Sequence, residues 1–314
     1  MKTLFAAATA VFAALGTVTA QEKPPVTPVK GQAIESQGVN IVVDVERVSL
    51  LFTVTDKKGR FVTDLKKDDF QVIENRRYQP IMEFSSESEL PLRLAILIDT
   101  SNSVRDRFKF QQEAAMEFIK NVLRPKQDLA AVISFDTASE LVADLTNNID
   151  KLEKGIRGLR PGGGTALYDA VFFAARDKMG QSSGTRYRNV MVIVGDGDDN
   201  QSRYSRDQAL ELAQKADAII YTISTNITRI ESDGDKVLKY FAAETGGLAF
   251  FPFKPTDLSQ SFENISNELR HQYSLLYKPD PFPHDGLFHP VELRIKLKKG
   301  LIARARRGYF APRR

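Results

Sequence analysis

The run Leu94-Ala95-Ile96-Leu97-Ile98 constrains the fold of this chain more than any other stretch. Five apolar residues without a polar break suit a strand buried on both faces, as in a parallel sheet. The run stops at Asp99, and hydroxyls follow at alternate positions, Ser101 and Ser103. A carboxylate at the end of a buried strand is costly unless its charge is compensated. Open α/β sheets place ligands outside the carboxyl ends of their strands, so the position marks a candidate site. Three hard oxygen side chains on one tight loop suit a hard divalent cation, Mg²⁺ ahead of Ca²⁺.

The pattern around this run repeats. Leu129 to Phe135, Asn189 to Val194 and Ala218 to Ile223 are further buried-strand runs, and Glu140 to Leu145 reads as a short edge strand. Helical spacing predicts helices over 104–123, 148–159, 166–179, 206–216, 235–244 and 257–270. Alternating buried strands and helices predict an α/β fold over 92–271: a doubly wound, mainly parallel sheet with helices on both faces.

Two β segments flank that domain. In residues 39–86, Val48, Leu50, Phe52 and Val54 alternate with neighbours toward the other face, Asp56-Lys57-Lys58-Gly59 makes a turn, and Phe70 to Ile73 and Tyr78 to Phe84 read as strands. In residues 272–314, Gln272 to Tyr277 reads as a strand, as does the alternating set Val291, Leu293, Ile295 and Leu297, with Leu301 to Ala305 last. Each segment is too small for its own core, so the two are expected to pair into one small β-domain, with the α/β domain inserted between them.

The amino-terminal end predicts an export signal: Lys2, an apolar stretch from Leu4 to Leu15, and the small-residue site Val18-Thr19-Ala20. The alternative, a membrane anchor, needs a longer apolar run. The mature chain is expected to begin at Gln21 and to be periplasmic or extracellular. A Pro-rich linker covers 21–38. The 314 residues contain no cysteine, which excludes disulfides, thiolate metal sites and cysteine nucleophiles. The net charge of +4 is too mild to argue for nucleic acid. From Arg294 to Arg314, however, nine residues are Lys or Arg and none is Asp or Glu. This tail is either a solvated strand face or a contact for an anionic surface.

Two more positions join the Asp99-x-Ser101-x-Ser103 cluster at the same sheet edge: Thr165, after the Gly162-Gly163-Gly164 turn, and Asp196, after the third buried strand. This set resembles the von Willebrand factor type A (VWA) domain and its metal-ion-dependent adhesion site. That family carries Asp-x-Ser-x-Ser after its first strand, a Thr in a later loop and an Asp after its fourth strand. Asp99, Ser101, Ser103, Thr165 and Asp196 match in order and context. The whole chain is similar to the secreted bacterial VWFA-related proteins often found in Acidobacteria. That likeness rests on Lys57 to Val62, Asp69-Phe70, Gly164 to Asp169 and Arg306 to Phe310.

The resemblance implies that Ser101 and Ser103 bind a cation directly, Asp99 and Asp196 directly or through water, and Thr165 in one conformation. The ion would be Mg²⁺, with Mn²⁺ or Ca²⁺ as alternatives. An open position would take an Asp or Glu carboxylate of a partner protein, because a metal with few direct carboxylates keeps positive character. In some relatives the final helix, here 257–270, shifts when ligand binds. Gly195 stands where many relatives have Thr, which implies a missing hydroxyl. Asn102 replaces a frequent Gly and is expected to tolerate positive φ.

Other chemistries fit less well. A phosphatase-like Asp99 needs a second acid two residues on, where Ser101 stands. The Gly-rich turn lacks the Gly-Lys-Ser/Thr of a phosphate loop. Asp196 to Asp207 has Gln201 and Asp207 where a calcium loop needs Gly and Glu, which leaves Asp198 and Asp199 as loop surface acids. His271, His284 and His289 lack metal-ligand spacing and read as surface histidines, and no Ser-His-acid elbow appears. Phe250, Phe251 and Phe253 read as packing for the sheet edge. The expectation is an exported, metal-dependent, adhesion-type protein-interaction module and not an enzyme. A structural envelope component and a metal-dependent hydrolase are the alternatives.

Overall fold

The computed structural model describes residues 47–86, 90–180, 187–226, 228, 230–254, 256–296 and 300–313. The expected export signal and linker, 1–38, lie outside them. At the centre is a six-stranded sheet of β5 (Leu92–Asp99), β6 (Leu129–Phe135), β7 (Ser139–Thr146), β8 (Arg188–Gly195), β9 (Ile219–Ser224) and β10 (Ala249–Phe250). Its order is β10-β9-β8-β5-β6-β7, parallel throughout except for the antiparallel edge strand β7. Every residue of β5 is buried, as the unbroken apolar run requires. The chain leaves β5 toward β6 on one side and returns to β8 on the other. The switch point of the sheet, where a crevice opens, therefore lies between the ends of β5 and β8.

Both faces of the sheet are covered. One core joins Ile96, Ile98, Val132 and Val192 to Phe118, Ile119, Leu152, Phe262 and Ile265. The last five come from α1 (Phe108–Val122), α2 (Ile149–Gly158) and α6 (Thr256–Arg270). The other core joins Leu97, Ile133 and Ile193 to Leu167, Val171, Leu210 and Phe241. The last four come from α3 (Leu167–Phe173), α4 (Arg206–Lys215) and α5 (Asp233–Thr245). Capping boxes start α4 at Ser205 and α5 at Ser232, and Gly246 ends α5 in the left-handed conformation.

The flanking segments pair with each other. β1 (Val48–Asp56) lies between β11 (Tyr273–Tyr277) and β13 (Leu301–Ala305), and β4 (Ile81–Ser86) adds to β11. In a second sheet β12 (Phe288–Ile295) pairs with β2 (Phe70–Glu74), and β3 (Arg77–Gln79) and β14 (Gly308–Phe310) complete it. Val48, Leu50, Phe52 and Val54 face Phe70, Val72 and Val291 across one core, and the Phe52 and Phe70 rings meet edge-on at 5.0 Å.

Local departures from the sequence reading have physical causes. The expected strand Tyr78 to Phe84 breaks at Pro80, and its halves join different sheets. Proline has no N–H to give a ladder. The helix expected from Val104 begins as a 3₁₀ turn, Asn102–Arg107, before α1. The helix expected over 166–179 widens after Phe173 into π-type turns over Ala174–Met179. The short strand β14 went unread.

Four of the nine basic residues of the tail form ion pairs within the chain. Arg304 pairs with the buried Glu268, Arg306 with Asp217, Arg307 with Glu244 at 2.8 Å, and Arg294 with Glu292 at 2.5 Å. Arg304 and Arg306 are mostly covered, while Arg294 and Arg307 keep more than half of their side chains exposed. His289 is also no surface residue. Its side chain is 13 % exposed and lies 3.1 Å from Asp285 and 3.8 Å from the buried Glu74. Glu74 in turn accepts from the hydroxyls of Tyr277 and Tyr309.

Candidate metal centre

Asp99 ends β5, and Asp196 follows the last residue of β8. The two strands are hydrogen-bonded neighbours, so these carboxylates meet at the switch point. Gln111 of α1 holds the strand ends together. Its amide donates to Asp99 O at 3.3 Å and to Val194 O at 3.0 Å. Gln111 shares its helix face with the buried Phe108, Ala115 and Phe118, so the signal in the sequence is a polar residue within an apolar stripe.

Four of the five expected residues form one hydrogen-bonded chain. Asp99 Oδ1 accepts from the Ser101 N–H at 2.8 Å, the Ser101 and Ser103 hydroxyls are 2.8 Å apart, and Ser103 Oγ donates to Asp196 Oδ2 at 2.5 Å. The 3₁₀ turn after Ser101 keeps both hydroxyls close to the end of β5. Asp99 is fully buried, Ser101 and Thr165 nearly so, Asp196 is half-buried and Ser103 exposed. The cluster thus has a closed floor and an open side.

Thr165 reaches this edge through its backbone. The Gly162 N–H donates to Thr100 O at 2.6 Å, and the Asn102 side-chain amide donates to Gly163 O at 3.2 Å. Gly163 has φ +79°, and a Cβ there would lie 2.6 Å from the Thr137 hydroxyl. The turn therefore requires glycine. Asn200 completes the dock: its side-chain oxygen accepts from the Thr165 N–H at 3.0 Å, and its own N–H donates to Thr165 O at 2.9 Å. Among the described hydrogen bonds none joins the Thr165 hydroxyl to the other four residues.

Two sequence readings change here, at Asp199 and Gly195, and Asn102 does not use the positive φ open to it. Asn102 is absent from the left-handed positions and instead starts the 3₁₀ turn, its side chain bridging to Gly163 O and Arg105. Asp199 is half-buried, not a surface acid. It accepts from the Tyr168 N–H at 3.0 Å, in the first turn of α3, and from the Ser202 hydroxyl at 2.6 Å. Asp198 is exposed, as read. Gly195 is not simply a position that lacks a hydroxyl. A Cβ there would lie 2.8 Å from both Asp99 Cβ and Asp99 Oδ2, so the present placement of Asp99 leaves no room for a side chain.

The electrostatics of the cluster are uncompensated. Asp99 Oδ2 is buried without a hydrogen-bond partner. Burial, and then the neighbouring Asp196 charge, pushes the Asp99 carboxyl up to about 7, against the opposing pull of the Ser101 amide and hydroxyl. A divalent cation would supply the missing charge, and the donor set consists of hard oxygens only, so the residues present fit such an ion. Among the described residues no three His, Cys, Asp or Glu side chains gather as metal ligands, so a cation here would rely on the hydroxyls as well as the two carboxylates.

The family model for the von Willebrand factor type A domain matches residues 94–198, from β5 through the Asp196 loop. The chain carries a VWA domain. Domains of this family typically serve as protein-interaction modules. Among solved structures, proximal thread matrix protein 1 from the mussel byssus, with zinc in its MIDAS motif, is 16 % identical with a TM-score of 0.51. That match covers 61 % of this chain and 48 % of the mussel protein, so the chain spans about half of its length. A von Willebrand factor type A protein from Catenulispora acidiphila is 14 % identical over 79 % of this chain and 76 % of its own, with a TM-score of 0.47. The corresponding domain of the type V pili tip protein Mfa5 from Porphyromonas gingivalis is 16 % identical over 57 % and 94 %, with a TM-score of 0.47. No curated protein matches the chain by sequence. Among the described residues no helix is long and apolar enough to cross a membrane.

Proposed function

We propose that the chain is an exported protein-interaction module whose VWA domain binds a divalent cation through Asp99, Ser101, Ser103, Thr165 and Asp196. The cation then takes an Asp or Glu carboxylate of a partner protein. The observation that carries this reading is the hydrogen-bonded oxygen cluster at the switch point, with Asp99 Oδ2 buried and unpartnered at its floor. Ser103 and the half-buried Asp196 leave the outer side open to a ligand. With hydroxyls among its direct ligands and a carboxylate acting through water, the ion keeps positive character and attracts a carboxylate from outside. The zinc in the MIDAS motif of the mussel protein, which shares the fold, supports a divalent ion. Mg²⁺ is the first choice for an all-oxygen set, with Mn²⁺ and Ca²⁺ next.

The reading is of a binding module and not an enzyme. What supports it is the match to a domain family that typically serves protein interaction. Calorimetric titration of Mg²⁺, Mn²⁺ and Ca²⁺ into metal-stripped protein, beside Asp99→Ala, tests it. One-site binding in the wild type that is lost in the variant is the expected result. A folded wild type that binds none of the three ions would overturn the metal assignment and leave the domain a structural component.

A further inference from the structure

Strand register settles which residues share each face of the second sheet. Val291, Leu293 and Ile295 of β12 lie opposite Glu74, Val72 and Phe70 of β2, and this is the side that packs into the core. The alternate residues point the other way. On that outer face Phe288 pairs with Phe310, Pro290 with Gly308, and Glu292 with Ile73, which in turn pairs with Tyr78. Paired residues lie roughly 5 Å apart, and diagonal neighbours such as Pro290 and Ile73 roughly 7–8 Å. Phe310, Phe288, Pro290, Ile73 and Tyr78 therefore run as one apolar stripe across all four strands. The Phe288 and Phe310 rings are 5.3 Å apart, Tyr78 is 68 % exposed and Phe288 37 %. The open face of an antiparallel sheet is ordinarily polar.

The two ends of the stripe differ. Lys215 of α4 stands 5.1 Å from the Phe310 ring and closes that end. At the Tyr78 end lies a hollow of about 330 Å³, lined by Tyr78 and Pro80 among others. Among the described residues that line it, Lys67 and Lys296 are cations and Asp68 is the one acid. Glu292, the acid on the face itself, is held by Arg294 at 2.5 Å. Two more arginines, both exposed, come from the hairpin beside Tyr78: Arg76 in the two-residue turn between β2 and β3, and Arg77 at the start of β3. Arg76 has φ +62°, at a turn position that favours glycine. A side chain there is strained, and such strain points to a use beyond the fold.

We infer that this outer face docks a second protein, whose contact patch is apolar at its centre and acidic at its margin. Aromatic side chains at the centre with arginines around them are the composition of a protein interface. The cations Arg76, Arg77, Lys67 and Lys296 select the sign of the partner's margin. They also disfavour a second copy of this chain, which would bring like charge to like across a two-fold axis. Glu292, in the middle of the face, disfavours an anionic lipid surface, which offers a carboxylate no donor. The face shares no residue with the oxygen cluster and lies in the other domain. The inference therefore stands apart from the metal-dependent reading, and the contact needs no cation.

The test puts the photo-crosslinker benzoylphenylalanine at position 78 of the full chain, in the cells that make it. The captured protein is then purified and its affinity for the chain measured. Capture is expected from position 78 and not from position 141, an exposed apolar site on β7 of the other domain. Tyr78→Ser and Arg76→Gly should each weaken the purified pair about tenfold or more. Arg76→Gly should at the same time raise the thermal stability of the chain, because it relaxes the turn; a merely structural arginine would not show that split. Affinity should fall as salt is raised and stay unchanged in EDTA. No captured protein, equal affinity for both variants, or affinity indifferent to salt would overturn the inference. Loss of binding in EDTA would move the contact to the metal centre and also overturn it. So would capture of a second copy of the chain, or flotation of the chain with phosphatidylglycerol vesicles that is lost in Tyr78→Ser.

Discussion

In metal-free protein, Asp99→Asn is expected to stabilise the fold above neutral pH while abolishing its response to Mg²⁺. Burial and the Asp196 charge lift the Asp99 carboxyl from 3.8 to about 7. The folded protein therefore holds this proton more tightly than the unfolded chain does. That contribution to stability is fully present below about pH 4 and is lost as the pH rises through about 7. At about 1.4 kcal/mol for each tenfold change, the loss is about 4 kcal/mol. This is a large fraction of the roughly 5–15 kcal/mol that holds a domain folded. Asparagine cannot ionise, and its oxygen can still accept the Ser101 N–H. Urea unfolding in EDTA at about pH 4 and about pH 8.5 checks this. Wild type should lose up to about 4 kcal/mol more than the variant between the two pH values. Saturating Mg²⁺ should restore wild type at the higher pH, because a ligand specific to the folded state stabilises it by mass action. Parallel pH dependence in the two proteins would refute the burial argument. A Mg²⁺ response retained by the variant would refute Asp99 as a ligand.

Three further outcomes follow from the packing. Gly195→Thr, with its Cβ set 2.8 Å from Asp99 Oδ2, should displace Asp99 and destabilise the protein by about 1–3 kcal/mol; thermal unfolding and a weakened Mg²⁺ isotherm measure both effects. Arg304→Met strands the buried Glu268, which Tyr221 also contacts, and should destabilise by about 3–5 kcal/mol in urea, with much of the loss recovered by adding Glu268→Gln. Leu97→Ala, at a fully buried position in β5, should destabilise by about 2–5 kcal/mol, and a smaller loss in urea unfolding would show that the second core relaxes around the gap.

Much of the architecture was legible because it is written in local patterns. A strand buried on both faces cannot tolerate polar residues, so Leu94 to Ile98 announced the central strand without reference to its partners. Helix faces were readable at a period of 3.6 residues, as with Leu258, Phe262, Ile265 and Leu269, all buried in α6. Pairing was less legible. Nothing between Tyr78 and Phe84 except Pro80 signals that the segment serves two sheets. Ion pairing was illegible where partners are distant in sequence: Arg304, Arg306 and Arg307 form a basic run in the chain and pair with Glu268, Asp217 and Glu244 in the fold.

The sequence by itself determined the chemistry available: hydroxyls and carboxylates at strand ends, no thiol, and an α/β alternation that sends those ends to one edge. It could do so because residue type and short-range periodicity are properties of neighbours along the chain. Only the tertiary structure decided which groups meet. It set Asp99 beside Asp196 through adjacent strands, fixed Gln111 across both, and closed position 195 against any side chain. Each of these depends on contacts between segments far apart in the chain, set by strand order and helix packing, and no local pattern encodes them.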